Sequence, residues 1–197
     1  MTRLDTVKRH LKAGQSYRRA DVARWSKSVD RDLRALVGQG VLKKLQTGLY
    51  YRPRRSSFGE VPVADKDLVR TFLKDSRFLL FSPNAYNSLG VGTTQLYNKQ
   101  VVYNHKRHGD FKLGGRTYAF RVKPYFPTQS VTEEFLLVDL VNNLGELAED
   151  RRALRGRVHE RALTMNATKL RNAANRYGSV ATRKFFEVAL ATVSESA

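Results

Sequence analysis

The chain has 197 residues, with 36 Lys and Arg against 18 Asp and Glu, a formal charge of +18. It has no cysteine, which excludes disulfides and thiolate metal sites, and no apolar run approaches the roughly 20 residues of a membrane-spanning helix. A hydrophobic fraction of 41%, with ten Phe and nine Tyr, supports a folded protein, and a cationic excess of this size calls for a polyanionic partner or a crowded anionic surface.

The charge is uneven. Residues 1–55 hold 15 Lys and Arg against four Asp, whereas residues 56–197 hold 21 against 14 acids. The stretch MTRLDTVKRHLKAG lacks the apolar core expected of a signal peptide. It predicts an amphipathic helix with Leu4, Val7 and Leu11 inward. RRADVARW predicts a short second helix in which Ala20, Val22, Ala23 and Trp25 are available for burial. A third helix follows SKS, capped by Ser26 or Ser28. Its inner face is Val29, Leu33, Leu36 and Val37, and its outer face Lys27, Ser28, Arg31, Asp32, Arg34 and Ala35. Gly38 and Gly40 end it, and VLKKL and LYYR form two strands around the turn QTG.

Helix, helix, helix and two-stranded hairpin is the order of a winged helix-turn-helix, in which the third helix enters the major groove and the hairpin tracks the backbone. That layout makes Lys27, Ser28, Arg31 and Arg34 the expected base- and phosphate-reading residues. Arg18 and Arg19 join them from the second helix, and Lys43, Lys44, Thr47 and Arg52 from the hairpin. A protein-docking module and a merely solubilising basic face are the alternatives. RNA is the weaker partner, because sequence-specific RNA modules more often use aromatic stacking sheets.

RRSSFGEVPVADK reads as a connector, dividing a domain at 1–55 from one at 65–197. In the second domain DKDLVRTFLKDS predicts a helix with Leu68, Val69, Phe72 and Leu73 inward, and RFLLF a buried strand. Ser82, Pro83 and Gly90 bracket a two-turn helix. QVVYNH, FKL and RTYAFRV read as strands, the last two joined at Gly114-Gly115. SVTEEFLLVDLVNNLGEL predicts a buried helix opened by a Ser130/Glu133 capping box, and KLRNAANRYG and VATRKFFEVALATV two more, divided by Gly178 and Ser179. The expected class is α+β: a winged helix-turn-helix followed by a mixed α/β domain that ends in helices.

Chemistry is sparse. His105 and His108 lack a third ligand by spacing, the adjacent Glu133 and Glu134 point apart on a helix, and GVGTTQ lacks a P-loop lysine. No catalytic residue, metal or cofactor is expected.

Three stretches together carry a resemblance. SVDRDLRALVGQGVLKKLQTGLYYRP resembles the winged-helix region of AbiEi-type antitoxins of bacterial type IV toxin–antitoxin systems. SPNAYNSLGVGTTQ resembles the small-helix motif of that family, and LRNAANRYGSVATRKFF its C-terminal helical end. The resemblance implies a cytoplasmic antitoxin that binds promoter inverted repeats in double-stranded DNA, represses its own operon and counters a nucleotidyltransferase toxin. It places antitoxicity in the C-terminal domain without assigning residues there. The rivals are a free-standing winged-helix regulator with an effector or dimerisation domain, and a DNA-targeted nuclease.

Overall fold

The computed structural model describes residues 3–194. In chain order the elements are α1 (Arg3–His10), β1 (Ser16–Arg18), α2 (Arg19–Val22), α3 (Val29–Gly38), β2 (Lys43–Gln46), β3 (Leu49–Tyr51), β4 (Arg54–Ser56), β5 (Gly59–Val61), α4 (Asp65–Leu73), β6 (Phe78–Phe81), β7 (Lys99–Asn104), β8 (Gly109–Leu113), β9 (Arg116–Val122), α5 (Glu133–Asn142), α6 (Arg151–Thr164), α7 (Ala167–Tyr177) and α8 (Val180–Ser194). The fold is α+β. It divides into two compact units, Met1–Arg77 with Lys106–Arg121, and Phe78–His105 with Val122–Ala197.

In the first unit, α1, α2 and α3 close over a core of Val7, Leu11, Tyr17, Val22, Val29, Leu33, Leu36 and Leu42. β1 and β2 flank β3 in an antiparallel sheet ordered β1-β3-β2, so Tyr17 and Lys44 both lie opposite Tyr50. Gly40 and Gly48, with φ of 67° and 75°, take the left-handed geometry that the end of α3 and the hairpin tip require. Arg52 Nη1 donates to the carbonyls of Lys8 and Leu11, satisfying groups left open where α1 ends.

Several expectations change here. α2 is four residues long, and Ala20 and Ala23 are exposed. Neither serine caps α3. Ser28 occupies the cap position without a side-chain bond, while Ser26 Oγ accepts from the Ser28 N–H at 3.0 Å and donates to Asp32 Oδ2. Asp32 is therefore buried, not on the outer face. The segment read as a connector folds back as the β4–β5 hairpin, held to the rest of the unit by Tyr51 Oη donating to the Val61 carbonyl at 2.7 Å and by the Lys43–Glu60 ion pair at 2.7 Å.

The boundary also differs from 55–65. α4 packs on β1, and the Gly114 N–H donates to the Leu45 carbonyl, so α4 and the β8–β9 hairpin complete the first unit. Leu68, Val69, Phe72 and Leu73 are buried as the periodicity requires, and Phe72, Phe111 and Phe120 meet ring to ring.

The second unit sets the antiparallel pair β6–β7 and a helical array around Leu79, Phe81, Tyr103, Phe135, Leu137, Leu140, Leu154, Leu170 and Phe186. Residues 83–89 form a 3-10 helix, with Ser82 Oγ accepting from the Asn84 N–H and Gly90 left-handed. α5 starts later than the expected box, because Thr132, not Ser130, accepts from the Phe135 N–H, and it ends at Asn142. At Gly178 a Cβ would lie 2.4 Å from the Ala174 carbonyl oxygen, so only glycine fits the α7–α8 junction; Ser179 then caps α8 through the Thr182 N–H.

α6 has no counterpart among the expected helices. Leu154, Val158 and Ala162 give it a single narrow buried stripe, and Asp150 caps it. Inside the same unit Asp139 accepts from Tyr86 Oη at 2.6 Å and Tyr103 Oη at 2.8 Å, while Asn143 Nδ2 donates to both phenol oxygens. No helix among the described residues is long and apolar enough to cross a membrane.

Candidate nucleic-acid interface

α3 buries Val29, Leu33 and Leu36 in the first unit's core, and this directs Arg31 and Arg34 to the open side. The Arg31 side chain is 72% exposed, 3.9 Å from Asp32 at its nearest approach. Lys27 is exposed in the turn before α3, and Ser28 is half-buried at its start. A concavity of about 360 Å³ separates α3 from the β2–β3 hairpin, lined by Asp30, Leu33, Arg34, Val37, Lys44 and Tyr50. Arg34 and Lys44 thus border one cleft from two elements, and Tyr50 lines it beside Leu33 and Val37.

The start of α2 belongs to the same surface. The Arg19 N–H donates to the Gly48 carbonyl at 2.9 Å, which sets α2 beside the hairpin tip that exposes Thr47. The Arg19 guanidinium reaches across to α3, where Nε and Nη2 donate to Asp30 Oδ1 and Oδ2 at 2.7 and 2.6 Å. That hydrogen bond, aided by the charges of Arg19 and Arg34, holds the Asp30 carboxyl below its ordinary range, and the same bond with the charge of Asp30 raises the Arg19 guanidinium above its own. Arg18 closes β1, and its N–H donates to Asp21 Oδ2.

The ten expected site residues therefore separate by what they touch. Lys27, Arg31, Arg34, Lys44 and Thr47 present side chains to solvent around α3 and the hairpin. Arg19 is clasped by Asp30 within that surface, and Arg18 and Ser28 are half-buried at element ends. Lys43 is paired with Glu60. Arg52 is committed to the end of α1, so its guanidinium has an internal structural task rather than a free outward one.

Sequence reasoning passed over Asp30, Tyr50 and Glu60. Asp30 was hidden because an acid in a basic helix reads as charge balance; its spacing of eleven from Arg19 carries no local signal. Elsewhere, His105 stacks on Phe126 at 4.8 Å and Glu133 pairs with Arg161 at 2.9 Å. Among the described residues no group of three or more His, Asp or Glu is placed to hold a metal ion. Comparison with protein-family models, curated proteins and solved structures gives no match.

Proposed function

We propose that the first unit contains a winged helix-turn-helix that binds double-stranded DNA, and that the chain is a repressor of its own promoter. The observation that carries this reading is the shared cationic rim of α3 and the β2–β3 hairpin: Arg31 and Arg34 on one side, Lys44 on the other, with Arg19 and Thr47 at the tip. The helix order and the β1-β3-β2 sheet are what that module requires, and cations in these places meet base edges from the helix and phosphates from the hairpin. An exposed arginine on α3 can fork onto the O6 and N7 of guanine. Footprinting of the full chain on the DNA upstream of its own gene tests the reading. Protection of inverted repeats is the expected result, and uniform weak protection of any duplex contradicts sequence-specific repression.

The antitoxin role rests on the resemblance of the three quoted stretches to AbiEi-type antitoxins. The chain then counters a nucleotidyltransferase toxin encoded beside it, with that function in the second unit. Co-expression with the neighbouring gene product tests it: growth is rescued by the full chain and by an Arg31→Ala/Arg34→Ala variant alike. No rescue by the full chain, or no toxic neighbour at all, favours a free-standing regulator instead.

A further inference from the structure

An acid at the centre of a DNA-facing surface repels phosphate unless it does something else. Asp30 is such an acid. It is exposed on α3, it borders the cleft with Arg34 and Lys44, and it holds Arg19 in a two-point bond from another helix. Guanidinium is a planar fork with five N–H donors. Nε and one Nη2 hydrogen are spent on Asp30. The other Nη2 hydrogen and one of the two on Nη1 form the adjacent edge of the fork, and Nη1 has no hydrogen-bond partner among the described residues. The backbone bond from Arg19 to Gly48 fixes the base of the same side chain. A flexible arginine is thereby held at both ends, with a two-donor edge left over.

We propose that Asp30 is a positioning residue that aims the Nη1–Nη2 edge of Arg19 at a phosphate of the DNA backbone. This rests on the DNA-binding reading above. Phosphate rather than base is the partner, because in a helix-turn-helix the helix before the reading helix crosses the backbone, and Arg19 opens that preceding helix. Two parallel N–H groups match two phosphate oxygens. The neighbouring Arg34 offsets the carboxylate charge, so the clasp does not turn the surface locally negative.

The test is a double-mutant cycle on the full chain, read by fluorescence anisotropy on a random-sequence duplex over a series of salt concentrations. Arg19→Ala is expected to weaken binding and to lower the slope of log K against log salt by about 0.9, the value of one phosphate contact. Asp30→Asn removes a negative charge, yet is expected to weaken binding by about threefold with Arg19 present, and to tighten it once Arg19 is alanine. That change of sign cannot come from a merely structural role, and beside Arg19→Lys, which keeps the charge without the fork, Asp30→Asn is expected to tighten binding as it does beside alanine. Tightening by Asp30→Asn with Arg19 itself present would overturn the proposal, leaving the acid as simple repulsion. An effect of Arg19→Ala confined to a selected guanine-containing sequence would overturn the phosphate assignment. Absence of any salt-dependent binding by the unaltered chain would defeat the DNA-binding reading itself, a result distinct from either.

Discussion

Ser26 Oγ donates a 2.5 Å hydrogen bond to Asp32 Oδ2, and both residues are buried beneath the start of α3. The same oxygen accepts from the Ser28 N–H, so one hydroxyl ties the turn to the helix that follows. Ser26→Ala removes the bond donated to a buried carboxylate and the one accepted from a backbone N–H, which costs about 1–3 kcal/mol. The expected outcome is a lower urea midpoint for the first unit. Fluorescence of Trp25, the only tryptophan and stacked on His10 at 4.9 Å, reports it. An unchanged midpoint would mean that the bond is replaced by water at no cost.

If the first unit binds DNA as proposed, variants at Arg31 and Arg34 separate base reading from charge. Replacing either by alanine is expected to weaken binding to the protected promoter sequence by about 1–3 kcal/mol, with a smaller loss on random duplex, if that arginine is bidentate to guanine. Competition gel shifts measure both quantities. Equal losses on the two DNAs would assign the arginine to phosphate.

The hairpin lysines are expected to behave differently from one another. Lys44 is exposed on the cleft rim, whereas Lys43 is drawn to Glu60. Lys44→Ala should lower the salt slope by about 0.9, and Lys43→Ala by less. Glu60→Gln should then raise the slope by freeing Lys43. Equal contributions from the two lysines, seen in salt titrations of each variant, would show that the Glu60 pair opens on DNA.

Asp139 makes the second unit's stability depend on pH. Burial pushes its carboxyl above the ordinary value, although the hydrogen bonds from Tyr86, Tyr103 and Asn143 and the charge of Lys123 pull the other way. Glu146 adds its charge near Tyr103. A raised folded-state value means that the native chain holds its proton to higher pH than the unfolded chain. The group's contribution is full below about pH 4. It is lost as pH rises through the folded value, at up to about 1.4 kcal/mol per unit. Asp139→Asn lacks this titration, so the stability of the unaltered chain relative to the variant should fall as pH rises above about 4 in urea unfolding followed by helical circular dichroism. A relative stability that rises over that range would show that the ionised form is the one the site favours.

What the sequence disclosed followed from periodicity and punctuation. The inward faces of α3 and α4 were legible from three- and four-residue spacings, and the Ser82-Pro83 to Gly90 boundaries from cap chemistry. β1 is three residues long, too short for alternation to register, and its pairing with β3 spans more than thirty positions. β4 and β5 carry Arg, Ser, Gly and Glu at exposed positions, so their hairpin has no apolar signal. α6 was missed because three small or medium apolar residues are spread through a run rich in arginine. The basic outer face of α3 was visible; Asp32 turning inward was not, because its burial depends on Ser26 six residues away.

The most direct test of the central claim is an anisotropy titration of the full chain and an Arg31→Ala/Arg34→Ala/Lys44→Ala variant. Both would be measured on the duplex upstream of the gene and on random duplex across several salt concentrations. The account predicts tight, salt-dependent binding by the unaltered chain. The variant should lose preference for the upstream sequence, and its slope should fall by about 0.9 for each phosphate contact removed. Binding that is equal for the two proteins, or no binding by either at low salt, would contradict it.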